Sequence, residues 1–256
     1  MSSESRRKFI KKVTAGSMAT AVIPLIVRNS GDSSEKENGL VFLFQGDSIT
    51  DGNRGRNLDP NHIMGHGYAF SIASRLGYAF PEKKLTFINR GISGNKVTDL
   101  EKRWKEDTLD LKPDVLSILI GINDSSSFVN SRPEPVTLQM YNDIYRSLLD
   151  RVVKQNPNVL LVLNQPFVFK NNANSPDWEK RIADLTERQR IAEKIALDYN
   201  AVYVKLQAAF DDACKKAPVD YWIWDGIHPT VAGHEVITRE WLKQVGKRLP
   251  FLRKCC

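Results

Sequence analysis

The sequence is poor in the residues that build metal sites and disulfide frameworks, with three cysteines and four histidines among 256 residues. No C-x-x-C pair occurs and no Cys/His cluster has zinc spacing, which argues against a structural zinc site. The chain also lacks any run of 18 apolar residues, so the sequence predicts no conventional membrane span. The sequence leaves undecided whether Cys214 forms a disulfide with Cys255 or Cys256 in an oxidising compartment.

The N-terminus has the composition of an export signal. Arg6 and Arg7 stand in a basic segment, and a moderately apolar run follows over residues 13–27. The arginine pair, with Phe9 two positions on, is similar to the twin-arginine type of signal. A basic amphipathic helix is the weaker alternative, because a Gly and a Pro interrupt the apolar run.

These features divide the chain into three parts. We expect an export signal over residues 1–28, a polar linker over 29–39 and one domain over 40–256. The twin-arginine export machinery is then a partner. The mature protein is expected to be periplasmic or secreted, or tethered to the membrane if the leader is not cleaved.

The net charge of +7 belongs largely to this leader. Residues 1–28 hold six Lys/Arg against one Glu, a net of +5, and the remainder holds 31 positive residues against 29 negative ones. So balanced a domain gives no sign of a basic surface for a polyanion. The sequence therefore predicts no nucleic-acid partner.

Short apolar segments alternate with helix-like periodic segments after the linker. Runs rich in Val, Ile, Leu and Phe are typical of strands in a parallel sheet buried on both faces. Their alternation with helices predicts a single-domain, three-layer α/β/α sandwich with a mostly parallel, five-stranded sheet. The predicted strands are 40–45, 84–89, 115–120, 159–164 and 201–205, and the predicted helices lie near 66–78, 96–110, 136–155, 177–199 and 230–248.

Polar blocks follow three of these strands, where ligands bind in sheets of this kind. GDSIT follows the first strand, NRGISGN the second and GIND the third, and WDGIHP precedes the last helix. Each block alone is a good turn or helix cap. Together they supply a serine, a base with an orienting carboxylate, and fixed donors for an oxyanion, which are the parts that acyl transfer needs.

Of the four histidines, His228 is the best candidate for the base. Asp225 lies three residues before it, and a proline stiffens the backbone after it. His62 and His66 lie in a polar loop beside glycines, whereas His234 falls within the apolar pattern of the last helix and is most simply a packed or surface residue.

The order and spacing of the four blocks resemble a known family. No serine stands in a G-x-S-x-G sequence, so the nucleophile elbow of the α/β-hydrolases is not the model. The blocks are instead similar to those of the SGNH (GDSL-type) hydrolases, which are named for Ser, Gly, Asn and His. The resemblance runs from about Phe44 to His234 and implies the flavodoxin-like SGNH hydrolase fold.

The resemblance also implies roles for individual residues. It makes Ser48 the nucleophile, His228 the general base and then acid, and Asp225 the carboxylate that orients it. It makes the backbone N–H groups of Ser48 and Gly94 and the side-chain amide of Asn123 the oxyanion hole. No cofactor is expected.

Two further carboxylates, Asp47 and Asp124, admit two interpretations. They could be metal ligands of a phosphoesterase, or they could accept hydrogen bonds from loop N–H groups and hold Ser48 and Asn123 in place. We favour the second, because a hydrolytic metal site would normally show more carboxylates or histidines at strand ends. No metal site is therefore predicted.

The block sequences are most similar to the bacterial carbohydrate acetylesterase branch of the family, which includes the acetyl-xylan esterases. The resemblance implies an exported serine esterase that removes O-acetyl groups from xylan-type carbohydrate through an acyl-serine intermediate. Trp222 and Trp224 are candidates for a platform under a sugar ring, and Arg54 is a candidate substrate contact, although a solvated surface arginine is as good an interpretation. One departure is the SSSF sequence after GIND, where that branch carries an aromatic and a basic residue.

Two alternatives remain at this point. The chain could be a lipase- or thioesterase-type SGNH hydrolase that acts on longer acyl esters. It could also be a catalytically silent carbohydrate-binding module, against which the complete set of serine, histidine and aspartate argues.

Overall fold

Five parallel strands form the centre of the fold, in the order β2-β1-β3-β4-β5. The computed structural model describes residues 39–57, 59–170 and 177–255. The predicted export signal and nearly all of the predicted linker lie outside the described residues. The strands are β1 (Val41–Gly46), β2 (Thr86–Asn89), β3 (Val115–Leu119), β4 (Leu160–Asn164) and β5 (Val202–Val204).

Helices connect the strands and cover both faces of the sheet. Within the described ranges, no helix is both long and apolar enough to cross a membrane. The helices are α1 (Ser48–Asp51), α2 (Tyr68–Ala79), α3 (Val97–Trp104), α4 (Ile122–Val129), α5 (Leu138–Gln155), α6 (Trp178–Asp198), α7 (Leu206–Cys214), α8 (Val219–Trp222) and α9 (Val231–Val245).

Side chains alternate between two cores on opposite faces of the sheet. In β1, Phe42 and Phe44 pack in the core that includes residues of α2, α7 and α9. Leu43 packs in the other core, with residues of α3, α5 and α6. Burial on both faces explains why the strands appear in the sequence as uninterrupted apolar runs. The predicted three-layer α/β/α sandwich with a five-stranded parallel sheet is thereby confirmed.

All five predicted strands are present, with ends that differ by no more than two residues from the prediction. The predicted helix over 96–110 is interrupted: α3 ends at Trp104, and a π-helical turn continues over Lys105–Leu109. Inside this wide turn the buried amide of Gln45 donates hydrogen bonds to Asp107 O at 2.7 Å and to Thr108 Oγ1 at 2.8 Å. A contact from another element thus accompanies the change in helix type.

Helix α4 is the clearest element that the sequence pattern did not predict. It contains three consecutive serines and an asparagine, which are weak helix formers. The three serines and Asp124 are nevertheless buried in it. Tertiary packing therefore overrides local propensity here. The sequence pattern also did not predict the short helices α1, α7 and α8.

The strand order places the first and third polar blocks side by side. β1 has β2 on one side and β3 on the other, so the chain winds away from β1 in both directions. A crevice opens at such a switch point, outside the carboxyl ends of the strands. Ser48 follows β1 and Asn123 follows β3, so both stand at this crevice.

Gly46 is the residue through which β1 leaves the sheet and turns into α1. Its φ of +156° is rare for residues with a side chain, and a Cβ at this position would collide with Leu119 O and the Thr50 side chain. Only glycine allows the turn to pass this close to β3.

We predict that Gly46→Ala lowers the free energy of unfolding by about 2–4 kcal/mol, because both the backbone conformation and the space oppose a methyl group. Gly77→Ala is the matched control: it lies in α2 with nothing within 4 Å of its Cβ position, and it should stabilise by about 0.5–1 kcal/mol. Urea unfolding of both variants checks this, and equal stabilities would contradict it.

Candidate active site

Ser48, His228 and Asp225 form one hydrogen-bonded chain at the carboxyl end of the sheet. Ser48 Oγ lies 2.8 Å from His228 Nε2, and His228 Nδ1 lies 2.6 Å from Asp225 Oδ2. The serine and the histidine are 180 positions apart in the sequence. The structure thus brings together the three residues predicted as nucleophile, base and orienting carboxylate.

The loop before α9 fixes the histidine. Asp225 Oδ1 accepts hydrogen bonds from the backbone N–H groups of Ile227 at 2.9 Å and His228 at 2.7 Å. Trp224 N donates to His228 O at 3.2 Å, and the two rings stack with their centroids 6.1 Å apart. One aspartate therefore holds both the backbone and the imidazole of His228.

The charge of Asp225 determines which nitrogen of His228 carries the proton. Burial alone would raise the pKa of Asp225, but the hydrogen bonds from His228 and Ile227 lower it below the ordinary value. An ionised carboxylate only accepts hydrogen bonds, so Nδ1 of His228 carries the proton and Nε2 is left to accept one from Ser48. This is the arrangement of a general base.

Ser48 is the first residue of α1 and is held by the residue before it. Asp47 caps the helix: its Oδ1 accepts from Ile49 N at 3.0 Å. Neither Ser48 N nor Gly94 N donates a hydrogen bond within the described part of the chain. Both backbone N–H groups are therefore available to a substrate oxygen.

The predicted oxyanion donors from the second and third blocks are joined to each other. Asn123 Nδ2 donates to Asn95 O at 3.2 Å, next to Gly94. Gly94 has a φ of +83° and open space where a Cβ would lie. The glycine is therefore favoured by the left-handed backbone conformation, not by crowding against a neighbour.

Two buried side chains, which the sequence analysis did not single out, connect the first and second blocks. Asp51 Oδ2 accepts from Ser93 N at 2.9 Å, while Asp51 also pairs with Arg56. Asn89 Nδ2 donates to Thr50 O at 2.7 Å. Both residues close α1 against the glycine-rich turn. Their only signal in the sequence is position, since Asp51 directly follows the first block and Asn89 begins the second.

Asp47 and Asp124 are loop-holding carboxylates in the structure. Asp124 Oδ1 accepts from Val97 N, at the start of α3, at 2.9 Å, as Asp47 does from Ile49 N. In the described part of the chain, no group of three or more His, Cys, Asp or Glu residues is arranged to hold a metal ion. These contacts agree with the second of the two interpretations given above.

The three candidate substrate contacts lie in different environments. Arg54 is buried and its Nε donates to Gly91 O at 2.9 Å, so the structure places it inside the loop packing. Trp222 packs against the core, with Nε1 donating to Ala217 O at 3.2 Å. Trp224 is 65% exposed and lines the cavity beside Ser48. Of the three, only Trp224 faces the substrate space.

A cavity of about 250 Å³ opens beside the nucleophile. Besides Ser48 and His228, two further histidines line it, His66 and His234. His234 Nδ1 accepts from Tyr68 N at 3.1 Å. Burial lowers the pKa of His234 to about 4, with contributions from His66 and His228. Its imidazole is therefore neutral where it lines the cavity. The sequence analysis did not predict that His66 and His234 line this cavity.

The chain is similar to a known enzyme family over most of its length. The model of the GDSL-like lipase/acylhydrolase family matches residues 44–236. The chain belongs to this family. It is 36% identical to an acetylxylan esterase of Geobacillus stearothermophilus over 215 residues, which cover 82% of this chain and 95% of the relative.

Solved structures of the family share the fold. A candidate GDSL-like lipase from Parabacteroides merdae superposes with a TM-score of 0.77 at 37% identity, over 82% of this chain and 97% of its own. A catalytic mutant of Axe2, an acetylxylan esterase from Geobacillus stearothermophilus, gives 0.72 at 34% identity, over 82% and 95%. The resemblance to SGNH hydrolases is confirmed, and this member of the family is a serine esterase.

The buried Asp47 makes the stability of this esterase depend on pH. Burial raises the pKa of Asp47 to about 7, so the folded state retains a proton that the unfolded state releases above its ordinary pKa. Stability from this group is therefore lost as the pH rises from about 4 to about 7. In Asp47→Asn an amide oxygen can still accept from Ile49 N, and the side chain cannot ionise.

We predict that the unfolding free energy of Asp47→Asn, relative to wild type, rises between pH 4 and pH 8. Urea denaturation across that range measures it. Asp143→Asn is the control, because hydrogen bonds from Gln139 and Asn142 lower the pKa of this exposed carboxylate; its relative stability should show no such rise. A flat difference for Asp47→Asn would contradict the prediction.

Proposed function

We propose that this esterase removes O-acetyl groups from xylan-type carbohydrate through an acetyl-Ser48 intermediate. The observation that carries the proposal is the 2.8 Å contact between Ser48 Oγ and His228 Nε2, with Asp225 behind it, at the edge of an open cavity. The similarity to acetylxylan esterases supports the carbohydrate substrate. A hydroxyl is a weak nucleophile until an adjacent base accepts its proton, and this pair supplies that base.

In the first half of the reaction, Ser48 Oγ attacks the acetyl carbonyl while its proton passes to His228 Nε2. The carbonyl oxygen becomes an oxyanion, which accepts hydrogen bonds from the N–H groups of Ser48 and Gly94 and from the amide of Asn123. Asp225 stabilises the imidazolium that forms. The tetrahedral intermediate then expels the sugar oxygen, which takes the proton from His228, and acetyl-Ser48 remains.

In the second half, water replaces the sugar. His228 Nε2 accepts a proton from the water as its oxygen attacks the acetyl carbon, and the same donors hold the second oxyanion. Collapse breaks the bond between Ser48 Oγ and the acetyl carbon, and the proton on His228 returns to Ser48. Acetate leaves and the enzyme is restored, with no cofactor consumed.

We predict that Ser48→Ala reduces acetate release from p-nitrophenyl acetate and from acetylated xylo-oligosaccharides by at least about 10³-fold, because the variant has no nucleophile. Ser74→Ala, an exposed serine on α2, is the control and should keep full activity. Acetate release across a panel of acetylated glycans, with and without a chelator, measures the effect. Retained activity in Ser48→Ala would contradict the acyl-serine mechanism.

Acyl-chain length separates this proposal from a lipase or thioesterase function. Three histidines line the cavity beside Ser48, which suits a polar alcohol such as a sugar. The similarity to an acetylxylan esterase supports a short acyl group. In the wild type, p-nitrophenyl acetate should be hydrolysed faster than the butyrate and octanoate esters. A preference for octanoate would support the long-chain alternative instead.

We further propose that the chain is exported, on the strength of the arginine pair and the apolar run that follows it. Replacing Arg6 and Arg7 by lysine should hold the esterase in the cytoplasm of a bacterial host, because the machinery recognises the pair itself. Arg28→Lys, in the same leader, is the control and should not. Cell fractionation with an activity assay measures this, and equal export of both variants would contradict it.

A further inference from the structure

The backbone of residues 65–67 packs closely against that of Gly52 beside the nucleophile. His66 N donates to Gly52 O at 2.9 Å. A Cβ at Gly65 would lie 2.6 Å from Gly52 O, and a Cβ at Gly67 would lie 3.0 Å from the ring of His234. The glycines on either side of His66 therefore allow an approach that larger residues would block. The only side chain that this three-residue segment presents is the imidazole of His66.

The other segment presents an asparagine. Asn53 follows Gly52 and has a φ of +55°, in the left-handed region. Asparagine adopts this conformation more readily than most residues with a side chain. Asn53 and His66 are both exposed, and both line the cavity that contains Ser48 and His228. The closely packed backbone thus holds two polar side chains at the cavity wall.

This cavity lies where the alcohol part of an ester must sit. The proton that His228 takes from Ser48 has to reach the leaving oxygen, so that oxygen must be next to His228 Nε2. Ser48, His228 and Trp224 line the cavity. The predicted oxyanion donors Gly94 and Asn123 are not among the described residues that line it. The cavity therefore belongs to the leaving alcohol and not to the carbonyl oxygen.

We propose that His66 is a specificity-determining residue that hydrogen-bonds a hydroxyl adjacent to the acetylated oxygen of the sugar. Imidazole suits a hydroxyl because one ring nitrogen can donate and the other can accept. His66 and His228 line the same cavity, and the vicinal hydroxyl is the polar group of the sugar nearest to the leaving oxygen. This inference rests on the proposed carbohydrate function and adds to it the group that distinguishes a sugar from a simple alcohol.

Two acetates that differ by one hydroxyl test the inference directly. They are cyclohexyl acetate and trans-2-hydroxycyclohexyl acetate, with p-nitrophenyl acetate as a substrate that has no hydroxyl. In the wild type we expect kcat/KM to favour the hydroxy ester by roughly tenfold, as one hydrogen bond allows. In His66→Ala this preference should fall to about twofold or less, with kcat/KM for p-nitrophenyl acetate within about threefold of wild type.

Two variants complete the test. His62→Ala removes an exposed histidine from the same loop, paired with Asp59 and outside the cavity lining, and should keep the preference. His66→Gln, which retains a donor and an acceptor, should recover part of it; a purely structural role would not be rescued in this substrate-dependent way.

The remaining outcomes separate the two proposals. If His66→Ala keeps the preference, or lowers kcat/KM equally for all three esters, the role of His66 is overturned and the carbohydrate function stands. If the wild type hydrolyses p-nitrophenyl acetate but neither cyclohexyl ester nor acetylated xylo-oligosaccharides, the carbohydrate function fails and the inference falls with it.

Discussion

The site depends on one hydrogen bond, between Ser48 Oγ and His228 Nε2, whose partners are 180 positions apart in the sequence. A proton can move between them only while the distance stays near 2.8 Å. Each partner is therefore held by its own local structure. Asp225 accepts from both the ring and the backbone of His228, and Asp47 caps the helix that begins at Ser48. The sheet then fixes the two loops relative to each other.

The buried carboxylates that hold these loops also destabilise the folded state when they ionise. Asp47 and Asp124 hold backbone N–H groups of different blocks, but burial raises the pKa of Asp47 to about 7 and that of Asp124 to about 6. An ionised carboxylate in such a place opposes folding. The loops around Ser48 are thus positioned by groups that weaken the fold as the pH rises from about 4 to about 7, which is a common compromise between stability and function.

The proposed mechanism also orients the ester. In it, the available N–H groups of Ser48 and Gly94 and the amide of Asn123 bind the carbonyl oxygen, and the cavity with Trp224 and His66 binds the alcohol. The strand order produces this division, because the second and third blocks follow the strands on either side of β1. The late loop, which carries His228, reaches the crevice from elsewhere in the chain.

The sequence by itself determined the layers, the strands and the ordered serine, glycine, asparagine and histidine blocks. The periodicity of apolar residues and the residues that favour turns can both be read from neighbouring positions in the chain. It did not determine the helical state of the serine-rich α4, nor that Arg54 turns inward to Gly91 O. Nor did it indicate that His66, one histidine in a polar loop, lines the cavity of Ser48. Those facts depend on which distant backbones pack together, and only the tertiary structure decides that.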